Sequence, residues 1–354
     1  MGRGQDDREL FAPVTTGPAS PLASSSKAIW LGLGLSVVAV AALVWRVSFR
    51  DVARALSTAN VVWLLPALGL FFVMFGLRAW RWSVLLGGTR FMPTWHANIV
   101  GYFFNVTLPL RLGEIARCYV ISKNTDISFA RALSAVLVER LIDLGSVLLL
   151  FAWFARQVPM RASFTHAATI GSAAVVMCLV FAVFVAVRGE AVERALAPRL
   201  ARLGKKRADA WLKRSSDIRA GLRSVGSAKR IAQAVALTAL IWACTILIAA
   251  ACLQAFLPNE NDLTRAGLVV VMANLGGALP SAPAGLGVVQ GFATSALVVP
   301  FGVEEGQALA YVLVWTLGQQ LVLVVLGFVS LGRVGLSFRQ IRAGAAVDPR
   351  AAAD

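Results

Sequence analysis

A group of charged side chains follows a proline in the stretch GYFFNVTLPLRLGEIARCYVISK, residues 101–123. The stretch begins with aromatic and aliphatic residues, and Pro109 then interrupts it because proline lacks a backbone N–H and obstructs the preceding turn. Arg111 and Arg117 carry guanidinium groups that suit phosphate in charge and geometry. Glu114 can pair with an arginine, bind a cationic headgroup or carry a proton. The alternative is that these arginines only set membrane topology.

A second charged group, Glu139, Arg140 and Asp143, lies within the apolar run AVLVERLIDLGSVLLLF. Glu139 and Asp143 are four residues apart and share one face of a helix. A charge at the bilayer centre costs about 3 kcal/mol on insertion scales, so such groups usually face protein or water. We expect this group to line a polar cavity with the Arg111–Arg117 segment. The alternative is that it lies near the inner interface and snorkels.

A backbone break is expected in each half of the chain. A helix that restarts near Gly113 would direct its partially positive amides toward the break. The uncharged stretch NLGGALPSAPAGLGVVQG, residues 274–291, is rich in Gly and Pro and would add open backbone and neutral side chains; the alternative is close helix packing by small residues. The expected hinge residues are Pro109, Gly113, Pro280, Pro283, Gly285 and Gly287. The expected substrate-binding residues are Asn105, Arg111, Glu114, Arg117, Glu139, Arg140, Asp143, Asn274, Ser281 and Gln290.

The elements that position these residues are predicted to be membrane helices. Hydrophobic residues make up 58% of the chain, and its mean hydropathy is +0.72. Six apolar runs are long enough to cross about 30 Å of hydrocarbon. They are approximately 28–46, 61–78, 131–155, 166–187, 231–256 and 307–331. Two interrupted stretches, 93–110 and 266–300, are predicted to be broken or re-entrant hairpins. The fold class is therefore an all-α integral membrane protein.

The distribution of basic residues predicts the orientation of the chain in the membrane. The net charge is +16, and residues 188–230 hold thirteen basic and four acidic side chains. This loop is expected to be cytoplasmic, either as an amphipathic helix on the inner leaflet or as a simple retention signal. Arg78, Arg81 and Arg90 mark another cytoplasmic loop. Both termini are then cytoplasmic, in an inner plasma membrane. Nucleic acid is an improbable partner because the charge lies between apolar spans.

The same topology predicts an inverted repeat. Each half contains two spans, a broken hairpin and a further span, and the halves have opposite orientation. Residues 109–113 and 283–287 both fit the pattern P-x-x-L-G. The predicted membrane domain covers residues 28–335, with halves at 28–155 and 166–335. Residues 1–27, which do not look like a signal peptide, and residues 336–354 are predicted to be disordered cytoplasmic tails.

Common enzyme motifs are absent from the sequence. There is no G-x-x-x-x-G-K-[ST] run for ATP, no H-E-x-x-H and no G-x-S-x-G. The four cysteines have no metal-ligand spacing, and His96 and His166 stand alone, so neither a metal nor a cofactor is expected. The chain is not expected to be an enzyme. An intramembrane transferase that uses Glu or Asp as a base is the alternative.

Three motifs in order resemble one known family. NVTLPLRLGEIAR, SFARALSAVLVERLIDL and NLGGALPSAPAGLGVVQ are similar to the lysylphosphatidylglycerol synthetase transmembrane, or flippase-like, family over residues 28–335. LRAWRW, residues 77–82, also looks like the end of the family's second span. The resemblance implies a protein that moves lipids, often aminoacylated or glycosylated, between leaflets. Two departures are the missing soluble aminoacyl-transfer domain and Trp315, where many relatives have a basic residue.

The function predicted from these observations is that of an inner-membrane lipid translocase. A headgroup, anionic in the simplest case, would enter a polar cleft between the halves while the tails stay in the bilayer. One alternative is an intramembrane glycosyl or acyl transferase acting on lipid-linked substrates. Another is a non-catalytic subunit of an envelope-synthesis enzyme. The sequence leaves the lipid, the direction of transport and the oligomeric state open.

Overall fold

The computed structural model describes residues 57–107, 112–158, 228–278 and 285–335, together with Arg54. Regular structure in these residues is helical throughout. The eight α-helices are α1 Leu64–Leu85, α2 Phe91–Thr107, α3 Gly113–Asn124, α4 Phe129–Ala155, α5 Ala228–Phe256, α6 Leu263–Ala278, α7 Val288–Phe301 and α8 Glu305–Val334. Short 3-10 turns at Val61–Trp63 and Pro258–Glu260 precede α1 and α6.

The helices have the length and surface of membrane spans. In the described residues, three segments are long and apolar enough to cross a bilayer: Val61–Leu85, Lys229–Phe256 and Glu305–Val334. Helix α4 is also 27 residues long but contains the charged group predicted above. Large apolar side chains such as Leu321 and Phe328 are well exposed, as expected where the solvent is lipid. The predicted all-α membrane fold is confirmed.

Four predicted spans and both broken stretches match observed helices. The spans 61–78, 131–155, 231–256 and 307–331 correspond to α1, α4, α5 and α8, and the broken stretches correspond to α2 and to α6 with α7. The loop predicted at Arg78 and Arg81 is wrong, because α1 continues to Leu85 and includes both. Partners inside the bundle offset the desolvation of these arginines. Arg90 does lie outside α1.

Several other predictions fall outside the described residues. They are the spans 28–46 and 166–187, the loop 188–230 except its last three residues, and both predicted tails.

Polar caps and glycines set the helix ends. The Ser128 hydroxyl accepts a hydrogen bond from the Arg131 amide at the start of α4, and the Glu304 carboxylate accepts from the first amides of α8. Helix α1 ends before Gly87 and Gly88, which have φ of +96° and +93°. L-residues rarely adopt such values, so these glycines allow the chain to turn toward α2.

Helices α1 and α5 pack side by side and run antiparallel. Each is the first described long helix of its predicted half. The Asn60 amide, just before α1, donates to the Ala255 carbonyl at the end of α5, at 2.9 Å. Arg81 near the end of α1 contacts Thr238 in the first half of α5. Equivalent helices with opposite directions are what the predicted inverted repeat requires.

The short helices pack reciprocally on the last helix of the other half. Helix α2 lies against α8, and α6 lies against α4. A glycine and a phenylalanine meet in each interface: Gly327 faces the Phe103 ring, and Gly267 faces the Phe154 ring. The pairing of helices ties the halves together and agrees with a twofold relationship between them, whereas the glycine and the phenylalanine exchange places between the two interfaces.

Candidate functional site

Glu139 of α4 lies between two arginines in the interior of the bundle. Arg117 of α3 donates to both of its carboxylate oxygens at 3.2–3.3 Å. Arg81 of α1 places its Nη2 atom 3.0 Å from Oε1 of the same carboxylate. All three side chains are almost completely excluded from solvent. The buried carboxylate of Glu139 is therefore shared by two guanidinium groups, and it neutralises each of them only in part.

Arg81 also bonds side chains from both halves of the protein. Its guanidinium bonds both oxygens of Asp143, at 2.5 and 3.1 Å. The same Nη1 atom donates to the Thr238 hydroxyl of α5 at 2.8 Å. A bidentate arginine–carboxylate pair fixes geometry as well as charge, so Arg81 holds α4 and α5 at defined positions against α1.

Arg117 has further partners on the neighbouring helices. It donates to Oδ1 of Asn98 on α2 at 2.8 Å, and its guanidinium lies 4.9 Å from the centre of the Trp82 ring. The stacking supplies a cation–π contact in a site closed to water. These contacts connect α3 to α1 and α2 and leave the Arg117 head inaccessible from outside.

An ion pair between Glu114 of α3 and Arg140 of α4 forms the accessible edge of the charged network. The Arg140 side chain is 36% exposed and that of Glu114 is 19% exposed. The Arg140 Nε atom is buried and has no hydrogen-bond partner among the described residues. This edge is where the network could meet a ligand.

The charges of the network balance. Arg81, Arg117 and Arg140 face the carboxylates Glu114, Glu139 and Asp143. Buried charges are tolerated when they are paired in this way, and removing one partner of such a pair is strongly destabilising. The interior part of the network is therefore suited to positioning helices, and its edge is suited to exchanging partners.

The end of α2 and the start of α3 are held in close contact by the side-chain amide of Asn105 and by two glycines. The Gly113 amide donates to Oδ1 of Asn105 at 3.0 Å, so this helix-initiating N–H is satisfied internally. A Cβ on Gly113 would overlap the Gly101 carbonyl oxygen and the Asn105 side chain. The predicted restart of the helix at Gly113 is confirmed, and its glycine serves close backbone approach.

The second broken stretch forms a neutral polar contact of its own. Oε1 of Gln290 accepts from the Gly287 amide at 2.8 Å, and its Nε2 donates to the Thr316 hydroxyl at 3.2 Å. Gly285 and Gly287 have φ of +69° and +83°, which suits the predicted hinge. Asn274 is exposed and donates to the Val270 carbonyl of its own helix, so it lies apart from the charged network.

The predicted site residues thus fall into separate groups. Glu114, Arg117, Glu139, Arg140 and Asp143 come together, with Asn105 beside them at the hairpin break. Five predicted residues lie outside the described part of the chain: Pro109, Arg111, Pro280, Ser281 and Pro283.

Sequence reasoning missed four residues that complete the polar contacts: Arg81, Asn98, Thr238 and Thr316. Only Arg81 had a usable signal, because it is an arginine inside the apolar run FGLRAWRW. Asn98, Thr238 and Thr316 are ordinary residues for a membrane helix, and nothing in their spacing sets them apart.

Two apolar grooves run along α8. The larger, of about 680 Å³, is lined by Val106 of α2 and by residues such as Leu317 and Leu321 of α8. The smaller, of about 210 Å³, lies between α1, α5 and α8 and includes Phe71 and Trp315. Among the described residues, no group of three His, Cys, Asp or Glu side chains could hold a metal ion.

The family model of the lysylphosphatidylglycerol synthase TM region matches residues 29–327, most of the chain and every described helix except the last turns of α8. The chain belongs to this family. It is accordingly a membrane protein of a family involved in lipid modification or transport. The predicted resemblance is confirmed by this match. No curated protein and no solved structure matches the chain significantly.

Proposed function

We propose that this protein translocates a lipid with a polar headgroup between the leaflets of the plasma membrane. The observation that carries the proposal is an accessible ion pair close to an apolar groove. Glu114 and Arg140 form the partly exposed edge of the charged network. Val106 lines the larger groove, and its neighbour Asn105 bonds the amide of Gly113, the residue before Glu114. A charged edge beside an apolar groove suits an amphipathic ligand.

In this proposal the headgroup exchanges with an internal ion pair. A phosphate group would bind the Arg140 guanidinium while Glu114 shifts toward a cationic part of the headgroup or toward water. Arg111, predicted to lie beside this edge, would add positive charge. The exchange replaces one compensated pair by another, so it avoids leaving an unpaired charge in the bilayer. The acyl chains would remain in the apolar groove.

The buried part of the network would keep the two halves in register during this exchange. Arg81 touches both halves, and Arg117 and Glu139 are closed to the ligand. No ATP-binding motif is present in the sequence, so transport would run downhill or on an ion gradient. Both termini would be cytoplasmic, so the α2–α3 hairpin would enter the membrane from the cytoplasmic side.

The test is lipid scrambling in reconstituted vesicles. The wild type, Arg140→Gln and Glu114→Gln are each reconstituted into vesicles that contain fluorescent phosphatidylglycerol or a lysylated form of it. A membrane-impermeant quencher is then added from outside. We expect the wild type to expose inner-leaflet lipid and both variants to slow this about tenfold or more, because one charge-assisted contact is lost. Arg265→Gln is the matched control. Arg265 lies in the first turn of α6 and pairs with Glu260, which precedes that helix, away from the charged network.

Other outcomes separate the alternatives. Equal scrambling by the wild type, the variants and empty vesicles would overturn the translocase proposal. A lipid of changed mass after incubation would favour an intramembrane transferase. Unchanged lipid, no scrambling and co-purification with an envelope-synthesis enzyme would favour a partner subunit.

A further inference from the structure

We propose that Arg78 of α1, held by Tyr102 of α2, makes the charged network an anion site that selects lipids with a net negative headgroup. This inference rests on the proposed function and adds the charge class of the lipid and the residue that sets it. Arg78 has no part in the ion pairs described above. The chemistry that it recognises is a phosphate group, and a lipid headgroup is the source that its position inside a membrane span favours.

Arg78 is a partly buried arginine within the span Val61–Leu85. It lies two turns before Leu85, the last residue of α1, and so is about 10 Å inside the end of the helix. Its Nη1 atom donates to the Tyr102 hydroxyl at 2.5 Å, and its guanidinium carbon lies 5.4 Å from the centre of the Tyr102 ring. Among the described residues, no carboxylate lies within ion-pair distance of Arg78. A neutral phenol therefore faces a full positive charge.

The lack of a carboxylate sets Arg78 apart from other arginines inside the bundle. Arg81, three residues later on α1, pairs with two carboxylates. Arg131 and Arg333 also lack a carboxylate among the described residues, but they lie in the first turn of α4 and the last turn of α8, where long side chains reach water and headgroups. A charge inside a span is costly, and the positions that carry one usually serve a ligand or a transported ion.

With Arg78 included, the cluster of charges has one positive charge in excess. Without Arg78, three guanidinium groups face three carboxylates. A headgroup with one negative charge would neutralise the excess, whereas a zwitterionic headgroup would leave it and a cationic headgroup would add to it. Because charges interact strongly where water is excluded, this difference should decide which lipids bind.

Tyr102 lies on the face of α2 that borders the charged network. Asn98, four residues before it, accepts a hydrogen bond from Arg117. Asn105, three residues after it, accepts from the Gly113 amide. Residues three and four apart are neighbours on one side of a helix. The Arg78–Tyr102 pair is therefore continuous with the network and is not a separate surface contact.

Tyr102 also connects Arg78 to the accessible edge and to the larger groove. The Tyr102 side chain is within electrostatic reach of Arg140, the 36% exposed arginine of that edge. Val106, one turn after Tyr102, lines the 680 Å³ groove. A phosphate between Arg78 and Arg140 would accept hydrogen bonds from both guanidinium groups and relieve the repulsion between these like charges. The Tyr102 hydroxyl would keep Arg78 in place for this contact.

Headgroup charge separates this role from simple packing of α1 against α2. The measurement is the rise in Tm of the purified protein in detergent on addition of phosphatidylglycerol, which is monoanionic, or phosphatidylethanolamine, which is zwitterionic. A ligand that binds the folded state raises its Tm. Arg78→Gln removes the charge and Arg78→Lys keeps it. Arg131→Gln is the matched control, because it removes a guanidinium group beside Gly87, away from Tyr102.

In the wild type and in Arg131→Gln, we expect phosphatidylglycerol to bind about tenfold more tightly than phosphatidylethanolamine, as one charge-assisted contact implies. Arg78→Gln should bind the two lipids about equally, and Arg78→Lys should keep the preference. Arg78→Met, a neutral side chain of similar length that suits an apolar span, replaces Arg78→Gln if that variant does not fold. An unchanged preference in the neutral variants, or its loss in Arg78→Lys, would overturn the proposal.

Inorganic phosphate distinguishes a lipid headgroup from a soluble anion. Added in excess over phosphatidylglycerol, with the ionic strength matched by chloride in the reference sample, it should leave the lipid-dependent rise in Tm unchanged. Displacement of phosphatidylglycerol by phosphate in the wild type would overturn the assignment to a lipid.

Failure of this site and failure of the translocase proposal are distinguishable. A preference for phosphatidylglycerol that depends on Arg78, without any scrambling in vesicles, would keep the anion site and reject translocation. Scrambling that treats the two lipids alike, and that Arg78→Gln leaves unchanged, would reject the anion site and leave translocation standing.

Discussion

Arg81 of α1 donates a 2.8 Å hydrogen bond to Thr238 of α5 and so joins the two halves in the interior of the bundle. The same guanidinium bonds Asp143 and lies 3.0 Å from Glu139 on α4. One side chain thereby fixes the relative positions of three long helices. The two partners bonded by Nη1 are 62 and 157 positions away along the chain, so only the folded structure brings them together.

The hydroxyl of Thr238 should contribute to stability because it accepts from a charged donor. We expect Thr238→Val to lower the free energy of unfolding by about 1.5–3 kcal/mol, measured by thermal unfolding in detergent. Thr245→Val is the control on the same helix. Its hydroxyl contacts only neutral groups, the Met74 sulfur and the Ile241 carbonyl, so a smaller loss is expected. Equal losses in the two variants would contradict a special role for the Arg81 contact.

Replacing Glu139 should be the most damaging change of charge in the network. Glu139→Gln leaves Arg117 without its carboxylate and removes one of two carboxylates from Arg81. Breaking a buried pair typically costs about 3–5 kcal/mol because a charge is left uncompensated. The measurement is chemical unfolding in micelles.

Glu260→Gln is the control for this change, since Glu260 is 38% exposed and pairs with Arg265. Its removal should cost no more than about 1 kcal/mol because water screens the pair. A Glu139→Gln protein as stable as the Glu260→Gln protein would show that the buried network adds nothing to stability.

The close approach of α2 and α3 should make Gly113 intolerant of a methyl group. A Cβ there would overlap the Gly101 carbonyl oxygen, so Gly113→Ala must separate the two helices at the break. We expect destabilisation of about 1–3 kcal/mol. Gly76→Ala, in open space within α1, should instead stabilise by about 0.5–1 kcal/mol through helix propensity. Similar Tm values for the two variants would refute the tight contact.

The reciprocal glycine–phenylalanine contacts predict two independent coupled pairs. Gly267→Ala should be rescued by Phe154→Leu, and Gly327→Ala by Phe103→Leu, because each smaller side chain yields the space that the new methyl needs. Double-mutant cycles on the free energy of unfolding should give couplings of about 0.5–3 kcal/mol within each pair. The crossed combination, Gly267→Ala with Phe103→Leu, should be additive. Additivity within a pair would disprove its contact.

Much of the fold follows from local patterns in the sequence. Runs of apolar residues predicted α1, α4, α5 and α8 because a span must satisfy its backbone hydrogen bonds internally and present apolar side chains to lipid. Pro and Gly predicted the breaks before α3 and α7 because they remove donors or permit unusual backbone angles. The charged groups around Arg117 and Glu139 were predicted to line one polar cavity together. They do come together, but as an ion pair that is almost completely excluded from solvent.

The partners in the site could not be predicted in the same way. Arg81 was assigned to a loop because arginine near a span end usually marks the cytoplasmic side. Its burial depends on Asp143, Glu139 and Thr238, which approach it only after three helices have packed. Asn274 was expected at the site, yet it lies exposed, because helix rotation within the bundle decides which face of α6 points inward.

The sequence by itself determined that this chain is a helical membrane protein with two broken hairpins and charges that require shielding. These properties depend on hydropathy and on backbone chemistry, which act over a few residues. The tertiary structure alone decided which charges pair, which edge of the network stays accessible, and where apolar grooves form along α8. Those features depend on distances between residues far apart in the chain, which the packing of antiparallel halves fixes.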